Sequence, residues 1–314
     1  MKKLVVMILV GLLAIPSLMA QTTQKSNSKK GKVEIIIVES GEYDAGKEDP
    51  RLTSGLAGYL DMEPVVTKIS PMQAMQDPTM SNLDYSFLPL YLLKKTKAVN
   101  EKMAPDVQRG IIQETPDYIV LAHQTQMGVY TNPEAKPDLM EVFVMSQCPY
   151  GVMAENAIIE AKKRGDFPMD KMVKVRYIVN YDSQNGFSSL HGSAEWEEDV
   201  RQLLIAKYYP TKFWQYLAVR NKDYQSSRWD KAMKEVGINP NKIMKKFDTE
   251  GLELLKAEAE YGKQYGINAS PTFLWEGKVQ TDFGGAAQIK GFSFLDPSRA
   301  LGGGSAAPAP TGSC

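Results

Sequence analysis

Apolar and polar positions along this chain follow two periods. Val142-Phe143-Val144-Met145 is an unbroken apolar run, as expected of a central strand covered on both faces. After Ser146-Gln147-Cys148-Pro149-Tyr150-Gly151 the pattern becomes helical from Val152 to Arg164. Pro149 suits the first turn of that helix, where its missing N–H is no loss, while Lys162, Lys163 and Arg164 crowd the last turn. Gly165 can close the helix in a left-handed conformation. A later helix is predicted to end at Gly266 and a strand to begin after Pro271, a tolerated place for proline because no ladder bond is lost there. Between these segments Leu203, Leu204, Tyr208, Phe213, Trp214 and Leu217 recur at helical spacings, interrupted near Gly237 and Pro240, so about 190–260 reads as helical. The aromatic series Trp196, Tyr208, Phe213 and Trp214 is expected in a core rather than a peptide groove. Upstream, Val33–Val38 reads as a strand, Arg51–Asp61 as a helix, and Tyr85–Leu93 as a proline-then-strand element.

The ends differ in kind. Lys2 and Lys3 precede an apolar run from Leu4 to Ile15, then Pro16, Ser17 and Ala20, which predicts a signal peptide over 1–20. The run is too short for a bilayer that needs about 20 apolar residues, so an exported, periplasmic or secreted protein is expected, not membrane-spanning after signal removal. Residues 21–32 contain no apolar side chain and read as a flexible leader. Residues 301–314, rich in Gly, Ala, Ser and Pro, read as a flexible tail ending in Cys314. A linker at Thr131–Asp138 divides the remainder into 33–131 and 139–300.

Composition narrows the classes. With 314 residues the chain is long enough for two domains at about 150 residues each, and two cysteines exclude a disulfide-stapled scaffold. The balance of 37 Lys+Arg against 37 Asp+Glu gives no footprint for nucleic acid, and removing Lys2 and Lys3 leaves the mature chain slightly acidic. His123 and His191 are too few for a histidine-rich zinc site, and Met72, Met75 and Met80 are read as packing residues rather than a copper(I) site. Gly302-Gly303-Gly304 lacks the strand and helix of a phosphate loop. Asn268-Ala269-Ser270 matches a glycosylation acceptor, but Pro271 and the expected burial of the loop argue against its use. No metal or cofactor is expected.

One position carries the chemistry. Cys148 lies at a strand-to-helix junction, where free N–H groups and the positive helix end favour thiolate over thiol. It is therefore the candidate nucleophile, with the sulfur expected to be exposed at the strand's C-terminal end; the plainer reading is a packed free cysteine.

Cys148-Pro149-Tyr150-Gly151 after a strand, and Tyr265-Gly266-Ile267-Asn268-Ala269-Ser270-Pro271-Thr272-Phe273 before one, closely resemble the thioredoxin superfamily. The resemblance implies an α/β thioredoxin-like fold over 139–300 with a helical insertion. Pro271 would be the cis-proline facing Cys148, and the backbone beside it would pair with an extended substrate peptide. Pro149, Tyr150, Ser270 and Thr272 would then shape the substrate edge. The insertion resembles disulfide oxidases of the DsbA type and interferon-induced lysosomal thiol reductases. His191-Gly192 with Glu195 is similar to a signature of those reductases, but Ser189 and Trp196 stand where its flanking cysteines would be, and His191 is expected to be a surface or capping residue. Gly151 replaces the second cysteine of dithiol members, which leaves monothiol exchange, resolution by a small thiol, or resolution by Cys314. A flexible tether of this length spans roughly 20 Å and gives about millimolar effective concentration, so Cys314 can reach Cys148; a trivial tail cysteine or intermolecular pairing are the alternatives.

The N-terminal segment can be laid on the second: Val33–Tyr43 matches Met140–Tyr150, with Gly41 in place of Cys148, and Pro89 precedes a strand. A degenerate, cysteine-free thioredoxin-like domain over 33–131 is expected, or else an unrelated α+β domain. The functional expectation is a thiol–disulfide oxidoreductase or isomerase acting on thiol- or disulfide-bearing exported proteins, with a redox partner or small thiol. The alternative is a non-catalytic binding module or holdase of the same fold.

Overall fold

The structure is a computed structural model that describes residues 30–110, 112–121, 127–296 and 314. The expected signal peptide, nearly all of the leader, His123, Gly302-Gly303-Gly304 and most of the tail lie outside the described residues.

The first half comprises β1 (Lys32–Val38), α1 (Pro50–Leu60), β2 (Glu63–Ile69), α2 (Pro71–Gln76), β3 (Phe87–Leu88), β4 (Leu90–Lys94), α3 (Lys97–Gln108), β5 (Gln113–Glu114), β6 (Tyr118–Leu121) and β7 (Gly128–Tyr130). The second half comprises β8 (Leu139–Val144), α4 (Pro149–Arg164), β9 (Met172–Tyr177), β10 (Asn180–Asp182), β11 (Gly186–Ser188), α5 (Ser193–Tyr208), α6 (Phe213–Arg220), α7 (Trp229–Glu235), α8 (Pro240–Met244), α9 (Leu252–Gln264), β12 (Thr272–Trp275), β13 (Val279–Thr281) and α10 (Phe283–Gln288).

In the second half β8 pairs parallel with β9 and antiparallel with β12, and β12 pairs antiparallel with β13. The strand order β9-β8-β12-β13, with α4 as the parallel crossover, α9 before β12 and α10 after β13, is a thioredoxin-like fold. Helices α5 to α8 form the insertion between β9 and α9. β8 is covered on both faces, as its unbroken apolar run requires. Val142 and Val144 enter a core with Ile158 of α4 and Leu204 of α5, while Phe143 enters another with Leu274, Phe87 and Tyr130. Full burial of each such side chain contributes on the order of 1.5–3 kcal/mol. Phe213 joins the first core, but Tyr208 is 40% exposed with Lys246 over its ring, so the aromatic stripe is core only in part. Met72 and Met75 are exposed, whereas Met80 is buried beside Tyr85 and Leu88.

The first half builds a sheet of order β2-β1-β4-β6-β5. Val33, Ile35 and Ile37 of β1 point into its core, and α1 starts where Asp49 accepts a hydrogen bond from the N–H of Arg51, followed by Pro50 at the first helical position. Strand order and directions in β2-β1-β4-β6 repeat those of the second sheet, but α3 stands between β4 and β6 where the second sheet has the tight β12–β13 connection. Sheet boundaries also differ from the division expected at 131–138. β7 pairs with β13 and β3 with β7, so two short segments from the first half complete the second sheet as a six-stranded one. Such strands are two and three residues long and carry too little periodicity to be read in advance.

Candidate functional site

Cys148 is the N-cap residue of α4, in extended conformation, and Pro149 opens the helix. Gly165 closes it at φ 77°, in the left-handed region that favours glycine. The peptide Ser270–Pro271 is cis, as is Leu88–Pro89 in the first half. The loop before β12 lies directly against the start of α4. The Met145 N–H donates to Ser270 Oγ at 2.9 Å, and Cys148 Sγ lies 3.5 Å from the Ser270 carbonyl oxygen.

Cys148 is disulfide-bonded to Cys314, with Cα atoms 6.1 Å apart. Contrary to the exposed sulfur expected at the strand end, Cys148 is wholly buried; Cys314 is partly exposed. The main chain of Cys314 also pairs with the residue before Pro271. Its N–H donates to the Ser270 carbonyl at 2.9 Å, and the Ser270 N–H donates to the Cys314 carbonyl at 3.2 Å. This reciprocal pair is the unit of an antiparallel ladder. Cys148, Pro271, Ser270 and Cys314 are thus brought together. Thr272 is buried, with its hydroxyl donating to the Ala269 carbonyl at 2.7 Å, which braces the loop from inside rather than facing a ligand. Pro149 is exposed and Tyr150 half-buried at the rim.

Gly151 is the position at which the resemblance drawn from the sequence would place a second cysteine. A Cβ at that position would sit 2.7 Å from Ser270 Oγ and 3.1 Å from both the Met145 carbonyl oxygen and Val144 Cβ. The space a Cβ would need there is filled by the Ser270 hydroxyl, which a second cysteine would have to displace.

Buried acidic side chains pack against the two residues before Cys148. Glu195, fully buried on α5, accepts a hydrogen bond from the Gln147 N–H at 3.2 Å, and its own carbonyl accepts from the Ser146 hydroxyl at 3.2 Å. His191 Nδ1 lies 2.5 Å from the Glu195 carboxylate. His191 is exposed just before α5, as expected of a surface or capping residue, and its ring braces the Glu195 carboxylate that accepts from the Gln147 N–H. The His-Gly-x-x-Glu spacing was the signal; Gly192, at φ 92°, turns the chain so that both side chains meet. Burial pushes the Glu155 carboxyl up to about 8, opposed by a hydrogen bond from Asn221. Burial likewise raises Asp199 well above the carboxylate range; its carboxyl abuts Ser146 without a well-formed hydrogen bond. Burial therefore favours the neutral form of both acids. Among the described residues no cluster of three or more His, Cys, Asp or Glu side chains is arranged to hold a metal ion, and no helix is long and apolar enough to cross a membrane.

No family model and no curated protein matches the chain. Several solved structures are similar in shape. DsbA disulfide interchange protein from Klebsiella pneumoniae is 16% identical, with 56% of this chain and 92% of that one covered at a TM-score of 0.37. Oxidised BdbD from Bacillus subtilis is 16% identical, with 54% and 92% covered at 0.38. A complex of Proteus mirabilis DsbA with the non-covalently bound peptide PWATCDS is 13% identical, with 58% and 95% covered at 0.39.

Proposed function

We propose that the protein is an exported thiol–disulfide oxidoreductase whose redox centre is the pair Cys148 and Cys314. The observation that carries this reading is the disulfide between a helix-capping cysteine and a cysteine 166 positions away, paired with the residue before Pro271. In the reduced protein the sulfur at the N-cap can accept hydrogen bonds from the first-turn N–H groups of α4, which favours the thiolate. The Cys148 thiolate attacks one sulfur of a substrate disulfide and expels the other as a thiolate. Cys314 then attacks the Cys148 sulfur of the mixed disulfide, releases the second substrate sulfur as a thiolate and leaves the Cys148–Cys314 disulfide. Reduction or isomerisation of disulfides in exported proteins uses the same steps, with a redox partner or small thiol regenerating the dithiol. Export rests on the signal-peptide pattern of residues 1–20, and the first half, 33–131, is read as a cysteine-free thioredoxin-like companion to 139–300.

Turnover of a fluorogenic disulfide substrate with excess small thiol tests the reading. Cys148→Ser is expected to lose activity at least a hundredfold. Cys314→Ser is expected to retain a first burst and accumulate a mixed disulfide at Cys148. Full activity in Cys148→Ser would overturn the assignment; a wild-type protein that turns over nothing while binding unfolded protein would point to a non-catalytic binding module.

A further inference from the structure

Ser270 is fully buried, and its main-chain N–H and carbonyl each pair with the main chain of Cys314, at 3.2 and 2.9 Å. Buried main-chain groups left without partners are costly. In the disulfide state the partner that satisfies them is the chain's own Cys314. Cys314 also fills the space outside Cys148, which has no exposed surface.

We propose that Cys314 is an internal occupant of the substrate edge, so that the oxidation state of the Cys148–Cys314 pair gates access of an extended cysteine-containing polypeptide to Ser270. The proposal rests on the oxidoreductase reading for its chemistry but makes a separate claim about binding. While the disulfide is intact, a partner strand cannot pair with Ser270 because both of its main-chain groups are taken. Opening needs two electrons from a thiol reductant: two RSH and the protein disulfide give RSSR, Cys148–SH and Cys314–SH. The first thiolate enters at Cys314, the partly exposed residue of the pair, and expels Cys148 as thiolate; the second attacks the mixed disulfide at Cys314 and releases RSSR. Once the bond is open, the two main-chain hydrogen bonds of Cys314 to Ser270 can be exchanged for those of a partner strand that makes the same two and adds its own contacts. The order of events follows: small thiols meet the oxidised form at Cys314, whereas polypeptides meet the reduced form at Ser270 and Cys148.

The gate predicts binding that does not depend on turnover. The probe is a fluorescent decapeptide of sequence 305–314 with serine in place of its cysteine, added to the full-length protein and followed by anisotropy. Reduced wild type and Cys314→Ser are expected to bind it at least tenfold more tightly than the oxidised wild type, and the Ser270 amide is expected to exchange with solvent faster after reduction and to be protected again by the peptide. Equal binding by oxidised and reduced wild type would overturn the gate, as would absence of binding to every form. A protein inactive on disulfides but showing the redox-dependent binding would keep the gate and remove the oxidoreductase reading; an active protein with equal binding would do the reverse.

Discussion

Burial acts on individual side chains around Cys148 in ways that can be measured. Glu155 is ordinarily ionised in the unfolded chain above about pH 4.5, whereas burial in the fold raises its pKa to about 8. Between these values the folded protein holds a proton that the unfolded chain has released, so stability contributed by the neutral carboxyl is present at low pH and is lost as pH rises through about 8. Glu155→Gln removes this dependence while keeping an oxygen for the Asn221 amide. Chemical denaturation at pH 5 and pH 8 is expected to show the variant gaining on wild type by a few kcal/mol across that interval, in line with about 1.4 kcal/mol per pKa unit. An identical difference at both pH values would show that the folded carboxyl titrates normally. Glu195 shows how a single residue can evade sequence reading: its spacing from His191 was visible, but its contact with Gln147 joins residues nearly 50 positions apart.

At the scale of elements, the contact between the start of α4 and the proline loop decides what chemistry the helix can hold. The β8–α4 junction was legible because every cue was local: an apolar run, Pro149 at the first turn, and basic residues with Gly165 at the end. The helix begins at Pro149 rather than Val152, since the proline and Tyr150 already have helical conformation after the extended Cys148. What the local cues lacked was the reason for Gly151, which is the Ser270 hydroxyl facing it. Gly151→Ala is expected to cost about 1–3 kcal/mol through overpacking, and less in a Ser270→Ala background where the hydroxyl is gone. A double-mutant cycle of denaturation midpoints checks this; additive costs would mean the two residues do not share the space.

Across the whole molecule, the two halves are joined by more than a linker. Tyr130 of β7 donates to Gln280 of β13 at 2.6 Å and stacks edge-on against Tyr265, so the first half closes the edge of the sheet whose far side carries Cys148. The apolar run Val33–Val38 was legible as a strand, but the crossing of β3 and β7 into the second sheet depends on tertiary pairing that no short window encodes. The same long-range logic brings Cys314 back to Cys148 and makes two cysteines, isolated in sequence, into one centre. The direct test is non-reducing peptide mapping of the oxidised monomer with intact-mass counting of thiols. One Cys148–Cys314 cross-linked peptide, no free thiol, and two thiols released by reduction is the predicted result. Two free thiols under oxidising conditions, or Cys314 linked only between molecules, would contradict it.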